Sequence, residues 1–189
     1  MRLNQVDHPR HPWRIHEVAA GFAVEDVWAL DTPGQREDFP SLVDRVWSSV
    51  DHPPQGGARL LLTIRWKLGQ WWGWDGPAQG LGRRVAPLAE GLPPDLRATR
   101  TPDVVAQGVP FSPLYQLENE WAAELANGTV HGVLHLGWVP STDQRYRGQL
   151  AVLVRPNGRA GQIYLAAIKP WRLLIYPAWI RRIERSWAP

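Results

Sequence analysis

Two histidines and two glutamates carry the sharpest chemical pattern in this chain. His131 and His135 lie four residues apart in the run Thr129 to Val139 (TVHGVLHLGWV), and Glu120 and Glu124 repeat that spacing just upstream. If both runs are strands, residues four apart share a face about 13 Å from each other, at about 3.3 Å per residue. That is too far for one metal ion held by the two imidazoles alone, and no metal or other cofactor is expected. The pattern suits two separate Glu–His pairs instead. A carboxylate orients an imidazole and raises its pKa, which is what acid–base chemistry requires. His131, His135 and Glu124 are the expected proton-transfer groups, and Arg147 on the following strand could polarise a carbonyl. The competing expectation is a solvated outer sheet face crossed by charge pairs.

The elements that must position these groups fill the last third of the sequence. Glu120 to Ala126, Val130 to Val139 and Tyr146 to Arg155 read as strands, and Arg159 to Trp187 as one long helix. Asn127-Gly128 is a strong two-residue hairpin signal, with positive φ expected at both positions. It pairs Glu124 with His131, Ala122 with Val133 and Glu120 with His135. Pairing Trp138 with Tyr146 sets Leu136 opposite Gly148 and Leu134 opposite Leu150. One face is then continuously apolar, as a buried face must be. In the final helix Ile163, Ala167, Trp171, Leu174, Ile175, Ala178 and Ile183 form a stripe suited to lying across that sheet. Pro170 and Pro177 should bend it.

Upstream, Phe22 to Leu30 reads as a first strand and Asp38 to Val50 as a helix with Phe39, Leu42, Val43, Val46 and Trp47 at helical spacing. His52 to Gly57 breaks that helix, and a second, widely apolar one is expected from Ala58 to Trp74. Residues 75 to 108 are rich in Gly, Pro and Arg and read as a lid or binding loop with one short helix around Pro87 to Gly91. A β pattern resumes from Pro110. Residues 1 to 12 read as a flexible tail. The expectation is one α+β domain spanning 1 to 189, a curved antiparallel sheet around a long C-terminal helix.

This order of strand, two helices, antiparallel meander and terminal helix resembles the helix-grip plan of the START-like, polyketide-cyclase-like (SRPBCC) superfamily. The wording is similar to a bacterial family known only as a domain of unknown function, which occurs alone and behind short-chain-dehydrogenase-like domains. The similar segments are His11-Pro12-Trp13-Arg14, Asp26 to Leu30, Arg65 to Gly69, Thr129 to Val139, Ala151 to Gly158 and Tyr164 to Pro170. They cover nearly the whole chain. The resemblance implies a fold and a cavity for an apolar molecule, with no catalytic residues attached.

Composition narrows the function further. Twelve Trp against three Phe means that indole rings supply most of the aromatic volume. Indoles suit half-wet cavity walls because the N–H needs a partner. Trp28, Trp66, Tyr115, Trp138, Tyr146, Tyr164 and Trp171 are the expected ligand wall, and Trp71, Trp72 and Trp74 are a further aromatic group. A net charge of +3 is no nucleic-acid-binding balance. The absence of cysteine excludes thiolate chemistry and disulfides. No secretory signal is evident at MRLNQVDHPRHPW, so a cytoplasmic location is expected. The apolar run Ile163 to Ile180 carries Lys169 and Arg172, too much charge for a transmembrane span. The leading expectation is a binder of a hydrophobic small molecule between sheet and final helix. Behind it stand a cofactor-independent cyclase or dehydratase, and a peripheral membrane or protein-interaction module using Trp179, Arg181, Arg182, Arg185 and Trp187. A homodimer is left open.

Overall fold

A computed structural model describes residues 1–51, 85–100, 111–141 and 144–187. The expected helix at Ala58 to Trp74, with Trp66, Trp71, Trp72 and Trp74, lies outside the described residues, as does most of the 75–108 loop. So does the side chain of Trp171.

Alternating side chains produce five antiparallel strands: β1 (Ala23–Ala29), β2 (Ser112–Gln116), β3 (Glu120–Ala126), β4 (Val130–Pro140) and β5 (Tyr146–Pro156). They form one curved sheet in the order β1-β5-β4-β3-β2, so the first strand closes against the last. The helices are α1 (Ile15–Val18), α2 (Phe39–Asp51), α3 (Pro94–Ala98) and the 30-residue α4 (Gly158–Trp187). The short helix expected around Pro87 is a 3-10 turn over Leu88–Gly91.

Both expected registers slip by two. The turn residues are Gly128 and Thr129, with the Asn127 amide donating to the Val130 carbonyl at 2.9 Å. Ala126 therefore pairs with His131, Ala122 with His135, Leu136 with Leu150 and Trp138 with Gly148. Neither Asn127 nor Gly128 has positive φ. The Asn127 side chain builds the turn instead, its Oδ1 accepting from the Thr129 and Val130 amides, both at 2.9 Å, and from the Thr129 hydroxyl at 2.8 Å. Side chains alternate with period two, so a two-residue slip leaves every residue on its expected face.

That apolar face carries Trp28, Trp121, Ala123, Leu134, Leu136, Trp138 and Leu150. They are covered by Phe39, Leu42, Val43 and Val46 of α2 and by Ile180 and Ile183 of α4. The start of α4 is held separately. Asn157 donates to the carbonyls of Thr129 and Asn127, and Tyr164 packs on Val130 and Val154. A Cβ on Gly161 would stand 2.1 Å from the Thr129 carbonyl oxygen. Gly161→Ala is expected to cost about 1–3 kcal/mol by pushing the helix off the β3–β4 turn, read as a lower denaturant midpoint.

The opposite face was expected either to be solvated or to open on a cavity. It is covered. Residues 1–22 and 85–98 lie over it, and Trp13, Ile15, Ala19, Leu92 and Leu96 pack against Val27, Ala122, Val133, Ala151 and Leu153. The N-terminal segment, expected as a loose tail, is bonded along its length. Met1 exchanges hydrogen bonds with Ala29, and the Leu3 amide donates to the Val27 carbonyl, along the edge of β1. Gln5 bonds the Glu25 carbonyl, and a 3-10 turn over Gln5–Arg10 buries His8 completely. Edge pairing of this kind also protects β1 from strand addition.

Candidate functional site

The two Glu–His pairs exist, although the register makes them diagonal neighbours rather than directly opposed. The imidazole Nε2 of His131 lies 2.8 Å from Glu124 Oε2, and that of His135 lies 3.2 Å from Glu120 Oε1. Diagonal residues on one sheet face stay within reach of long side chains. All four residues are buried.

Each carboxylate also holds down a covering segment. Glu120 accepts from the backbone amides of Arg14 and Ile15, both at 2.8 Å, and from the Tyr115 hydroxyl at 2.6 Å. Those amides open α1, whose first-turn donors have no partner inside the helix. Glu124 does the same for the 3-10 turn, accepting from Leu88 at 2.9 Å and Ala89 at 3.1 Å. The repeated four-residue spacing thus pins two segments onto one sheet face.

Burial alone would raise the Glu120 pKa. The bonds from His135, Tyr115 and the Arg14 amide outweigh it and hold the carboxyl below its usual range. Tyr115 is raised by burial and by the adjacent Glu120 charge, so it stays a donor. Burial lowers His135 despite Glu120. His8 falls to about 2 through burial and the neighbouring His135, His16 and His11. The protons follow from this. The ionised Glu120 only accepts, so neutral His135 carries its proton on Nε2 and offers Nδ1. His8 Nε2, 3.0 Å away, donates to that Nδ1. The result is a buried line Tyr115, Glu120, His135, His8 that ends on His8 Nδ1, which is buried without a partner among the described residues. Its chemistry is acceptance and positioning, and none of its members meets solvent.

Arg147 lies on the same sheet face as the histidines, half-buried, its Nε without a partner among the described residues. Tyr115, expected in the ligand wall, is also on this face, bonded to Glu120. The other wall candidates are scattered over the apolar face. Trp28 is buried under Tyr176, its indole N–H without a partner among the described residues. Tyr164 sits at the start of α4. Trp138 and Tyr146 come together, stacked at 6.2 Å with planes 10° apart.

Those two rings adjoin an open cleft that the sequence reading missed as a unit. Its volume is about 1000 Å³, and its lining includes Arg45, Arg145, Arg181, Arg185, Glu184 and Trp187. The Trp187 ring lies 6.2 Å from that of Trp138, its indole donates to the Pro33 carbonyl at 3.0 Å, and Arg45 sits 5.4 Å above it. Two of the cleft's three acids are turned to backbone: Glu184 accepts from the Asp31 amide and Asp38 from the Gln35 amide, and Asp31 is the third. Among the described residues none of the four arginines pairs with a carboxylate. The basic Trp-bearing helix end was visible in the sequence; its union with Arg45 and Arg145 required the fold.

An antiparallel sheet between helical layers, with a cleft at the end of the terminal helix, defines an α+β protein. The chain belongs to the family described as "Protein of unknown function (DUF2867)", whose model matches residues 18–179. Neither a curated protein nor a solved structure matches it.

Proposed function

We propose that this protein binds a small molecule with an apolar body and an anionic head, at the open end of the layer between sheet and terminal helix. The observation that carries the reading is the meeting of Trp187, backed by the stacked Trp138 and Tyr146, with four cleft arginines that have no carboxylate partner among the described residues. Arginine forks match carboxylate and phosphate oxygens, while indole and phenol rings take an apolar body. The sequence's resemblance to the helix-grip plan supports the same place, since that plan puts its ligand between sheet and terminal helix; the strand order and the position of α4 are further support for the reading.

The test uses 2-naphthoate against 2-ethylnaphthalene, two probes of similar shape that differ in charge. Naphthoate is expected to quench tryptophan fluorescence saturably and to bind about ten-fold tighter than the neutral probe. Arg181→Ala should remove most of that difference, because a charge-assisted hydrogen bond contributes about 1.5–3 kcal/mol. Equal binding of both probes would remove the anionic head from the proposal. No binding of either at its solubility limit would end it.

A further inference from the structure

We infer that the outward face of α4 is a docking surface for an anionic lipid membrane, meeting the cleft at Arg181 alone. Among the described residues five large hydrophobic side chains are exposed, and three lie on this helix: Ile163 at 70%, Leu174 at 63% and Leu173 at 37%. Ile163 and Leu174 are eleven residues apart, so at about 100° per residue they point within about 20° of each other. Exposed Ala166, Ala167 and Pro170 continue the line between them. The stripe runs about 16 Å along the helix, at 1.5 Å per residue.

Its charge selects the partner. The helix holds six basic residues against Glu184 alone; Arg172 is buried and paired with Glu25 and Asp26, which leaves five basic side chains against that one acid. Arg159 stands one turn before Ile163, and Arg181, which also lines the cleft, continues the stripe at its far end, both exposed; Lys169, exposed too, lies about 120° round the helix. An apolar stripe edged by cations is the pattern of a helix lying in the lipid headgroup boundary. No helix among the described residues is long and apolar enough to cross a membrane, so contact would be peripheral. A two-fold pair through the same face is disfavoured, because an isologous contact would oppose arginines to arginines.

The full chain should co-sediment with vesicles containing about one-third phosphatidylglycerol and stay in solution with phosphatidylcholine alone. Each anionic contact near the surface adds attraction that salt screens, so about 1 M salt should release most of it. Leu174→Glu and Ile163→Glu should each cut the bound fraction at least ten-fold, while Val6→Glu, at an exposed site elsewhere, should not. Naphthoate binding should be unchanged in Leu174→Glu, which separates this surface from the cleft. Three results would overturn the inference: no binding to anionic vesicles at low salt, binding indifferent to both glutamate variants, or a concentration-dependent dimer that Leu174→Glu dissolves.

Discussion

Glu120→Ala is expected to destabilise the fold by about 3–5 kcal/mol, the range for removing one partner from a buried charged network. The mutation strands four donors at once: the amides of Arg14 and Ile15, the Tyr115 hydroxyl and the His135 Nε2–H. All lie under the N-terminal cover, where water cannot replace the carboxylate without opening the structure. Glu120→Gln should cost less, about 1–3 kcal/mol. Its carbonyl oxygen can keep the three bonds now made to Oε1, while its amide nitrogen opposes the Arg14 amide. Urea unfolding gives both numbers, and amide exchange locates the loss. Protection should fall first over residues 13–18, the segment Glu120 holds. A loss under about 1 kcal/mol in Glu120→Ala, with exchange unchanged there, would show that the carboxylate does not pin the segment.

The strand boundaries were legible because turn residues punctuate alternating runs, and β3 falls where Glu120 and Ala126 bound it. The face assignment survived a register error of two, since parity alone decides which side a residue takes. The turn itself was misread. Asn127-Gly128 has the residues of a positive-φ turn, but three donors collected on the Asn127 side chain move the turn one residue forward. The larger miss was the histidine face. Single-sequence pattern shows a polar stripe but not what covers it, and the cover comes from residues 1–22 and 85–98, distant in the chain. His8 gave no sign of its partner, because a histidine in a Pro/Arg-rich opening looks solvated until Asn4 caps a 3-10 turn and turns it inward. The cleft was half legible: the arginines of α4 stood out, whereas Arg45 and Arg145 reach it only through packing.

The same buried line predicts steep acid lability. His8 and His135 have folded pKa values depressed below the ordinary 6.5, His8 to about 2, with burial the leading cause for both. Groups of that kind bind protons in the unfolded chain before they do in the folded one. Their contribution to stability is complete above pH 6.5 and declines as the pH falls toward the folded values. His8, with its folded pKa at about 2, costs about 1.4 kcal/mol per pH unit in that window, about 2.7 kcal/mol by pH 4.5, and His135 adds to the loss in the same direction. Glu120 acts in the same direction at lower pH: its folded pKa is depressed, so its contribution is present above 4.5 and is lost below. Stability measured by urea unfolding should therefore fall from pH 6.5 downward with a slope of at least one proton. The His8 ring resonances should not titrate while the chain stays folded. His8→Gln supplies the internal control. Glutamine can still donate to His135 Nδ1 but cannot take up the proton, so the slope should drop by about one proton. An unchanged slope would place the proton uptake on other residues.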